Sequence, residues 1–290
     1  MQITRWLSLP TIGAVVIWGA VPTATKFALR DFDPLALVLL RLIITSLIFF
    51  VWLVVAERDW GVQRKDLTLL CLAGIVGAGL FQILFTVGVN NTTASNSGVI
   101  MALAPIFTTL VAATTGQDRL RFLTLLGVVL AFAGVFLLVE GKGLGLQTSG
   151  LTGDLITIAA AFSWALYPIA AAPLLRRYSV LKTTTYATIL ALAAVLPFTI
   201  TPLARRGWSS VTFEGTMGVI YFIFFGGLVA WWLWGKGIRR LGPTQTMVYY
   251  YFQPLVGVTA AIILLAEQLN LLQFGGIGVI FLGVGLARKW

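Results

Sequence analysis

Long apolar stretches separated by short polar segments dominate the hydrophobic pattern of the chain. A charge at bilayer depth is costly unless it is paired or hydrated, so charge-free stretches of about 20 residues predict membrane-spanning helices. Six stretches have this length and a seventh is slightly shorter. In chain order they cover residues 6–25, 122–139, 155–175, 183–204, 215–235, 241–266 and 268–287.

The first half of the chain supplies three further crossings. Residues 67–117 contain no charge and are too long for one helix, but the polar run 90–96 in their middle predicts a loop. This loop leaves two crossings, 67–88 and 96–115, and the stretch 34–56 is apolar except for one arginine. The pattern therefore predicts an all-α integral membrane protein with ten transmembrane helices.

The composition agrees with this pattern and excludes several function classes. Of 290 residues, 59% are hydrophobic and only 10% are charged, whereas soluble proteins carry about 25% charged residues. The chain has no histidine and one cysteine, Cys71, so histidine-dependent catalysis, disulfides and thiolate metal sites lack their groups. The crossings contain no paired carboxylates either. We therefore expect no enzyme, no metal site and no cofactor.

The net charge of +10 has a topological explanation. In a soluble protein, an excess of 20 Lys and Arg over 10 Asp and Glu would suggest a nucleic-acid partner. Here the cations occur in small groups between apolar stretches, which is how short cytoplasmic loops are marked. If the amino terminus is cytoplasmic, fourteen cations lie in cytoplasmic segments and four in outer segments. This asymmetry predicts a multi-pass protein of the cell membrane, two cytoplasmic termini and no nucleic-acid partner.

The two halves of the chain resemble each other. Trp18-Gly-Ala-Val-Pro22 in the first crossing aligns with Trp164-Ala-Leu-Tyr-Pro168 in the sixth, at a separation of 146 residues. Four further residues align with partners 149 residues later, namely Pro105, Asp118, Gly127 and Gly134 with Pro254, Glu267, Gly276 and Gly283. Because five crossings per half is an odd number, the second copy is predicted to be inverted in the membrane.

We predict a first five-helix repeat over residues 1–140, a linker over 141–152 and an inverted second repeat over 153–290. Inverted repeats are typical of alternating-access carriers, which bind substrate near the midplane beside helices interrupted by proline or glycine. Prolines mark such helices in the first, fourth, sixth and ninth crossings. The predicted hinges are therefore Pro22, Pro105, Pro168 and Pro254.

These features together resemble the EamA-type branch of the drug/metabolite transporter superfamily. The residues that carry the resemblance are the Trp18-Gly pair, the glycine-rich last helix of each half, and the Pro105 and Pro254 helices that run into Asp118-Arg-Leu and Glu267-Gln-Leu. The resemblance covers essentially the whole chain and implies ten helices in two inverted repeats. Within that branch the chain is most similar to bacterial exporters of aromatic and other amino acids, which implies a place in the bacterial inner membrane.

Two tryptophans have unusual positions. Eight of the ten, including Trp231 and Trp234, lie in loops, tails or near the ends of crossings, where the indole favours the headgroup region. Trp18 and Trp164 lie near the centre of their crossings, and Tyr167 follows Trp164 by one turn. These residues are predicted either to pack helices, with the indole bonded to a carbonyl, or to form cavity walls that stack on an apolar or aromatic substrate.

Polar side chains in the middle of crossings are further cavity candidates, because such groups are costly in lipid. Gln82 lies in the third crossing, and Gln253 in the ninth shares a broad helical surface with Tyr249 and Tyr250. Met101 lies one turn before the proline of the fourth crossing. Each side chain is predicted either to line a substrate cavity or to pack helices.

Lys26 and Arg41 are predicted at similar depth on the outer side of the first two crossings. Either they extend to the interface or bond helix-end carbonyls, or they guide a substrate carboxylate as it leaves. A phosphate substrate is less favoured, because no such cation lies at the midplane of the second half.

Asp118 and Glu267 lie at predicted helix junctions, and Thr115 precedes Asp118 in a capping-box pattern. Because the midplane has no titratable acid, we predict that transport is facilitative. The two central tryptophans and the family resemblance indicate export of small amphipathic metabolites, above all of aromatic or hydrophobic amino acids. The alternatives are export of other metabolites or drugs, proton coupling, and a channel or membrane scaffold. The expected partners are a small-molecule substrate and lipid, and the glycine-rich helices leave a monomer and a homodimer open.

Overall fold

The structure is a computed structural model, and it describes residues 8–92, 94–119, 121–140, 151–204, 211–256 and 270–288. The regular structure in these ranges is helical throughout, and they contain no strand. Glu267 and most of the predicted linker lie outside the described residues.

The described part of the chain forms eleven helices. They are α1 (Leu9–Asp31), α2 (Pro34–Ala56), α3 (Arg64–Asn91), α4 (Ala94–Met101), α5 (Ala104–Thr114), α6 (Phe122–Glu140), α7 (Leu151–Leu175), α8 (Val180–Ala204), α9 (Phe213–Leu241), α10 (Pro243–Val248) and α11 (Leu271–Arg288). α3 and α9 each contain a wider π-helical segment, Leu72–Leu80 and Tyr221–Val229. A 3-10 turn, Tyr249–Phe252, follows α10.

Six of these helices are long and apolar enough to cross a membrane, namely α1, α2, α3, α7, α8 and α9. α5, α6 and α11 contain shorter apolar stretches. The outer face of α2 is apolar, and Leu47, Val51 and Val55 on it are more than half exposed. A surface of this kind is favourable in lipid and unfavourable in water. The chain is therefore a helical, multi-pass membrane protein.

Local sequence explains several helix ends. The Asp33 carboxylate accepts hydrogen bonds from the backbone N–H groups of Leu35 and Ala36, over 2.8 and 3.3 Å, and so caps α2. α9 ends where Gly242 adopts a φ of +81°, a conformation that favours glycine, and Pro243 then begins α10.

The predicted fourth crossing is divided into two helices, because α4 ends at Met101 and α5 begins at Ala104. Pro105 lies in the first turn of α5, where the missing N–H has no intrahelical partner to lose. Pro254 follows the 3-10 turn after α10, whereas Pro22 and Pro168 lie inside continuous helices.

The helices of the two halves pack against one another. α2 packs against α8, α5 against α10, and α6 against α11. α1 packs against α9 of the other half, and α7 packs correspondingly against α3. The two π-helical segments begin at Leu72 and Tyr221, which are 149 residues apart, the same separation as between Pro105 and Pro254.

α6 and α11 contact each other at some of the glycines that the sequence repeats in both halves. A Cβ atom at Gly127 would lie 2.5 Å from the carbonyl oxygen of Gly283, and a Cβ atom at Gly283 would lie 2.6 Å from the carbonyl oxygen of Gly127. The backbones approach this closely because both positions lack a side chain. Gly285 is different, since no described atom lies within 4 Å of a Cβ placed there.

Candidate functional site

A small cavity lies between the two halves of the bundle. The space for water-sized molecules inside it is about 30 Å³, enough for one or two waters. α1, α2, α3, α7, α9 and the segment after α10 supply its lining residues, which are Trp18, Val21, Arg41, Phe81, Gln82, Phe85, Trp164, Trp231, Tyr250 and Gln253. Both halves of the bundle therefore line one small central space.

Aromatic rings form most of the cavity wall. The ring centroids of Trp18 and Trp164 are 5.4 Å apart with an interplanar angle of 84°, an edge-to-face arrangement that aromatic pairs favour. Phe81 and Trp231 lie 4.9 and 5.5 Å from Trp164. Tyr167 stacks on Trp164 with centroids 5.4 Å apart, but it does not line the cavity. Trp164 is 1% exposed and lies at the centre of this aromatic wall.

Three polar atoms of the lining have no hydrogen-bond partner among the described residues, namely Gln82 Oε1, Trp164 Nε1 and Gln253 Oε1. Trp18 differs, because its indole N–H donates to the Gly226 carbonyl oxygen over 3.0 Å. The side-chain amide of Gln253 donates to the carbonyl oxygen of Trp18, also over 3.0 Å. A buried polar atom without a partner costs about 1–3 kcal/mol, so the three atoms favour a bound ligand or water.

Arg41 is a buried cation in the same wall, with 4% of its surface exposed. Its Nη2 donates to the Gly226 carbonyl oxygen over 3.1 Å, and the guanidinium carbon lies 4.2 Å from the ring centre of Phe222. Within the described part of the chain, no carboxylate pairs with it. A Cβ atom at Gly227 would lie 3.3 Å from Arg41 Nε and 2.7 Å from Thr45 Cγ2, so a glycine leaves room for the arginine here.

Lys26 lies in a different environment from Arg41. Its ammonium donates to the carbonyl oxygen of Thr92, the residue after α3, over 3.1 Å. This contact is of the helix-end type that the sequence offers as one alternative for both cations. The two residues share a similar predicted depth, but only Arg41 lines the cavity.

Met101 and Tyr249 are buried, and neither lines the cavity. The hydroxyl of Tyr249 accepts a hydrogen bond from the backbone N–H of Ser8 over 3.3 Å. Tyr250 lines the cavity with Gln253 instead, because the chain forms a 3-10 turn at this point. With three residues per turn, positions 250 and 253 share a face, whereas α-helical spacing would favour 249.

The sequence prediction missed several lining residues, namely Val21, Phe81, Phe85 and Trp231. Trp231 and Trp234 were expected near the end of a crossing because Lys236 closes the charge-free stretch. α9 continues past this lysine to Leu241, and both tryptophans are buried against the aromatic wall. The sequence does contain a signal for Phe81 and Phe85. They lie four residues apart, on one face of α3, and Gln82 lies between them in the chain.

The described residues that line the cavity include no carboxylate. Asp66 instead pairs with Arg177 at one end of the bundle and accepts a hydrogen bond from the Tyr178 hydroxyl over 2.6 Å. That hydrogen bond raises the pKa of the Tyr178 hydroxyl above its ordinary value. The contacts tie the start of α3 to the turn between α7 and α8.

A second ion pair strengthens the same end. The Lys182 ammonium lies 3.1 Å from the carboxylate of Asp59. The Gly61 backbone N–H and this ammonium together hold the pKa of Asp59 below its ordinary value. Both pairs lie at the end of the bundle that the charge pattern predicts to be cytoplasmic.

Comparison with known proteins identifies the family. The model of the EamA-like transporter family matches residues 6–140 and 151–288. The chain is 27% identical over 256 residues to a probable terminal-alkyne amino-acid exporter of Streptantibioticus cattleyicolor, covering 87% of this chain and 83% of that protein. It is 28% identical over 283 residues to a probable amino-acid metabolite efflux pump of Salmonella typhimurium, covering 93% and 90%. An uncharacterized transporter of Archaeoglobus fulgidus is 26% identical over 285 residues, covering 97% of each protein.

A crystal structure of a protein shares the fold, with a TM-score of 0.77 and 17% identity, over 97% of this chain and 98% of that chain. Two of these relatives are named for an activity, one as an amino-acid exporter and one as an amino-acid metabolite efflux pump. The resemblance to the drug/metabolite transporter superfamily is confirmed, and the chain belongs to the EamA-like transporter family of membrane transporters.

Proposed function

We propose that this transporter exports small amphipathic metabolites, specifically amino acids with aromatic or hydrophobic side chains, across the inner membrane of a bacterium. The observation that carries the proposal is the combination, in one cavity, of the aromatic wall around Trp18 and Trp164 with the buried guanidinium of Arg41. An amino acid of this class presents the two matching groups, an apolar side chain and a carboxylate. Relatives named as an amino-acid exporter and an amino-acid metabolite efflux pump support the same class.

The proposed architecture is ten crossings in two inverted five-helix repeats, residues 1–140 and 153–290, joined by residues 141–152. Two separate matches of the family model, over 6–140 and 151–288, support two repeats. α1 of the first half packs against α9 of the second, and α7 of the second half packs against α3 of the first. This reciprocal packing supports a two-fold relation between the two repeats. The distribution of Lys and Arg supports cytoplasmic placement of both termini.

Side chains of both repeats form the proposed substrate site. The substrate side chain would stack on Trp18 and Trp164, with Tyr167 supporting Trp164 from behind. The unpaired side-chain oxygens of Gln82 and Gln253 would accept hydrogen bonds from the substrate ammonium. Met101 and Tyr249 would contribute through helix packing.

Arg41 would bind the substrate carboxylate. A guanidinium presents paired N–H groups that match the two oxygens of a carboxylate, and such charge-assisted hydrogen bonds are stronger than neutral ones. A buried cation without an anion is unfavourable, and the Gly226 carbonyl supplies only one neutral acceptor. Lys26 would take a minor part, because the Thr92 carbonyl already binds its ammonium.

The cavity has to widen for this function, because space for one or two waters does not admit an amino acid. Alternating access provides the widening, since the site opens to one side of the membrane while the other side stays closed. The helices that contain Pro22, Pro105, Pro168 and Pro254 are the proposed moving elements.

Transport would be facilitative, driven by the gradient of the amino acid itself. A carrier that couples transport to protons needs a group near the substrate that binds and releases a proton at physiological pH. The described residues of the cavity lining offer no carboxylate, and the chain has no histidine. Proton coupling stays the alternative mechanism, and other metabolites or drugs stay the alternative substrates.

Counter-flow in proteoliposomes tests the proposal. Vesicles containing the purified full chain are loaded with unlabelled tryptophan, phenylalanine or leucine, and uptake of the same labelled amino acid is followed. We expect saturable uptake that the internal amino acid accelerates, with lysine, glutamate, a nucleobase and a sugar phosphate exchanged poorly. A channel would show no acceleration by internal substrate, and preferred exchange of the nucleobase or sugar phosphate would replace the proposed substrate class.

A further inference from the structure

A second cavity, of about 590 Å³, lies at one end of the bundle. It is wide open to the outside, and three helix ends line it, namely the carboxyl-terminal ends of α2 and α9 and the start of α8. This end carries Asp66, Arg177 and Lys182, and the charge pattern predicts that it faces the cytoplasm. The cavity is separate from the central one, and the two share no lining residue.

Cations dominate the wall of this cavity. The last turns of α9 supply Lys236, Arg239 and Arg240, whereas the wall has one carboxylate, Glu57. The hydroxyl of Ser179 donates a hydrogen bond to Glu57. The wall therefore has a net positive charge and suits an anion.

Two indoles lie beside these cations. The rings of Trp52 and Trp232 are 5.3 Å apart, and the Lys236 ammonium lies 3.3 Å from the centre of the Trp232 ring. Indoles prefer the boundary between hydrocarbon and water, and a lysine near it extends its ammonium to the polar side. The arrangement places the cavity at the level of lipid headgroups.

The surface next to the cavity faces lipid tails. Val51, Val54 and Val55 on the last turns of α2 are exposed and lead directly to the lining residues Trp52 and Ala56. A phosphorylated lipid fits this sequence of surfaces, with its acyl chains along α2 and its phosphate at the cations. A soluble phosphate would use the cations but neither the indoles nor the apolar face.

We propose that this cavity binds the phosphate of an anionic glycerophospholipid, with Lys236, Arg239 and Arg240 as the phosphate-binding residues. Trp52 and Trp232 would contact the glycerol and the first methylene groups. The general preference for cations in cytoplasmic segments explains a positive end of the protein. It does not explain a concave site in which the cations of one helix face indoles of two helices.

The test uses the purified full chain in detergent, with phosphatidylglycerol as the probe. Lipid binding is measured by native mass spectrometry, and the thermal unfolding midpoint is followed during lipid titration. The variant K236Q/R239Q/R240Q removes the three cations. The matched control R64Q/K65Q/R176Q removes three exposed cations at the same end of the bundle but outside the cavity.

We expect the cavity variant to bind phosphatidylglycerol at least about tenfold more weakly than the wild type, because each cation near an anionic headgroup contributes to binding. The control variant should bind like the wild type, and phosphatidylcholine should bind weakly to all three proteins. Equal loss in both variants would mean diffuse attraction by surface charge and would overturn the proposal. Equal binding of glycerol 3-phosphate and the lipid would replace it with a soluble phosphate site. If the triple variant fails to fold, R239Q alone provides the same comparison against R176Q.

Discussion

Trp18 and Arg41 donate hydrogen bonds to the same acceptor, the carbonyl oxygen of Gly226, over 3.0 and 3.1 Å. The two donors lie on α1 and α2, whereas the acceptor lies in the π-helical segment of α9. One backbone atom of the second half therefore holds both an aromatic wall residue and the buried cation of the first half. A carboxylate that binds both terminal nitrogens of Arg41 would take Nη2 from this carbonyl, and in that geometry substrate binding would loosen a contact between the halves.

Replacing Arg41 tests the carboxylate contact. We expect Arg41→Gln to lower kcat/KM for tryptophan about 10- to 100-fold, because a charge-assisted hydrogen bond is lost. Arg41→Lys should restore only part of the rate, since lysine keeps the charge but not the paired donors. Counter-flow with labelled tryptophan measures both rates.

The control for Arg41 is tryptamine, which has the indole and the amine but no carboxylate. Its exchange should be slow in the wild type and unchanged in Arg41→Gln. If the variant slows tryptophan and tryptamine equally, Arg41 serves the structure of the carrier and not the recognition of a carboxylate.

A conservative substitution is the suitable test of Trp164, because its ring contacts aromatic rings on several helices. Trp164→Ala removes a fully buried ring, and truncations of this kind cost about 3–5 kcal/mol of stability. Trp164→Phe keeps one aromatic ring in the wall and removes the second ring of the indole together with the unpaired Nε1 donor. We expect a smaller loss of thermal stability than in Trp164→Ala, an altered preference between tryptophan and leucine, and no change for Trp60→Phe at the exposed loop. An unchanged preference in Trp164→Phe would argue against contact between this ring and the substrate.

The α6–α11 contact predicts a difference between two nearby glycines. Gly283→Ala forces a Cβ atom against the Gly127 carbonyl and should destabilise the bundle by about 1–3 kcal/mol, as overpacking does. Gly285→Ala meets open space and should leave the unfolding midpoint unchanged or slightly higher. Thermal unfolding of the purified variants, followed by circular dichroism, separates the two. Equal midpoints would mean that the helices separate readily at this point.

The hydrogen bond between Tyr178 and Asp66 predicts a pH dependence. Since it raises the pKa of Tyr178, its contribution to stability is complete below the ordinary tyrosine pKa of about 10 and is lost as pH rises through the raised value. Tyr178→Phe removes this contribution at neutral pH. The difference in unfolding midpoint between wild type and variant should therefore shrink from pH 8 to pH 11. A constant difference would show that the hydroxyl contributes nothing that depends on its proton.

No described residue of the cavity lining carries a carboxylate, which predicts transport without proton movement. Vesicles that contain a pH-sensitive dye should show no pH change when tryptophan enters, and an imposed pH gradient alone should not concentrate it. The uncoupler-treated sample provides the control for proton leak. Proton movement in fixed ratio to tryptophan would establish the coupled mechanism in place of the facilitative one.

The helical, multi-pass character of the fold follows from the sequence, because charge-free stretches are read directly from it. The end of a crossing is harder to predict. Lys236 closes a charge-free stretch, yet α9 continues past it to Leu241, and the Lys236 ammonium lies over the Trp232 ring. The end of the charge-free stretch also gives no sign that Trp231 and Trp234 are buried inside the bundle.

The central tryptophans were predictable because their depth and repeat positions are visible in the sequence, and the structure brings them into contact. The position of Arg41 in the cavity wall could not be predicted from the sequence. It depends on Gly227 of another helix, which has no side chain and therefore leaves room for the guanidinium. The sequence offers both Tyr249 and Tyr250 beside Gln253, and the choice of Tyr250 for the lining depends on a short 3-10 turn that α-helical periodicity does not reveal.

The reciprocal packing of α1 with α9 and α3 with α7 has a consequence for synthesis in the cell. When the ribosome has completed the first half, the faces of α1 and α3 that later meet α9 and α7 still lack their partners. Lipid or the insertion machinery must cover these faces until the second half enters the membrane. The nascent carrier thus passes through an interval in which every crossing of its first half is made but its central cavity has only one side.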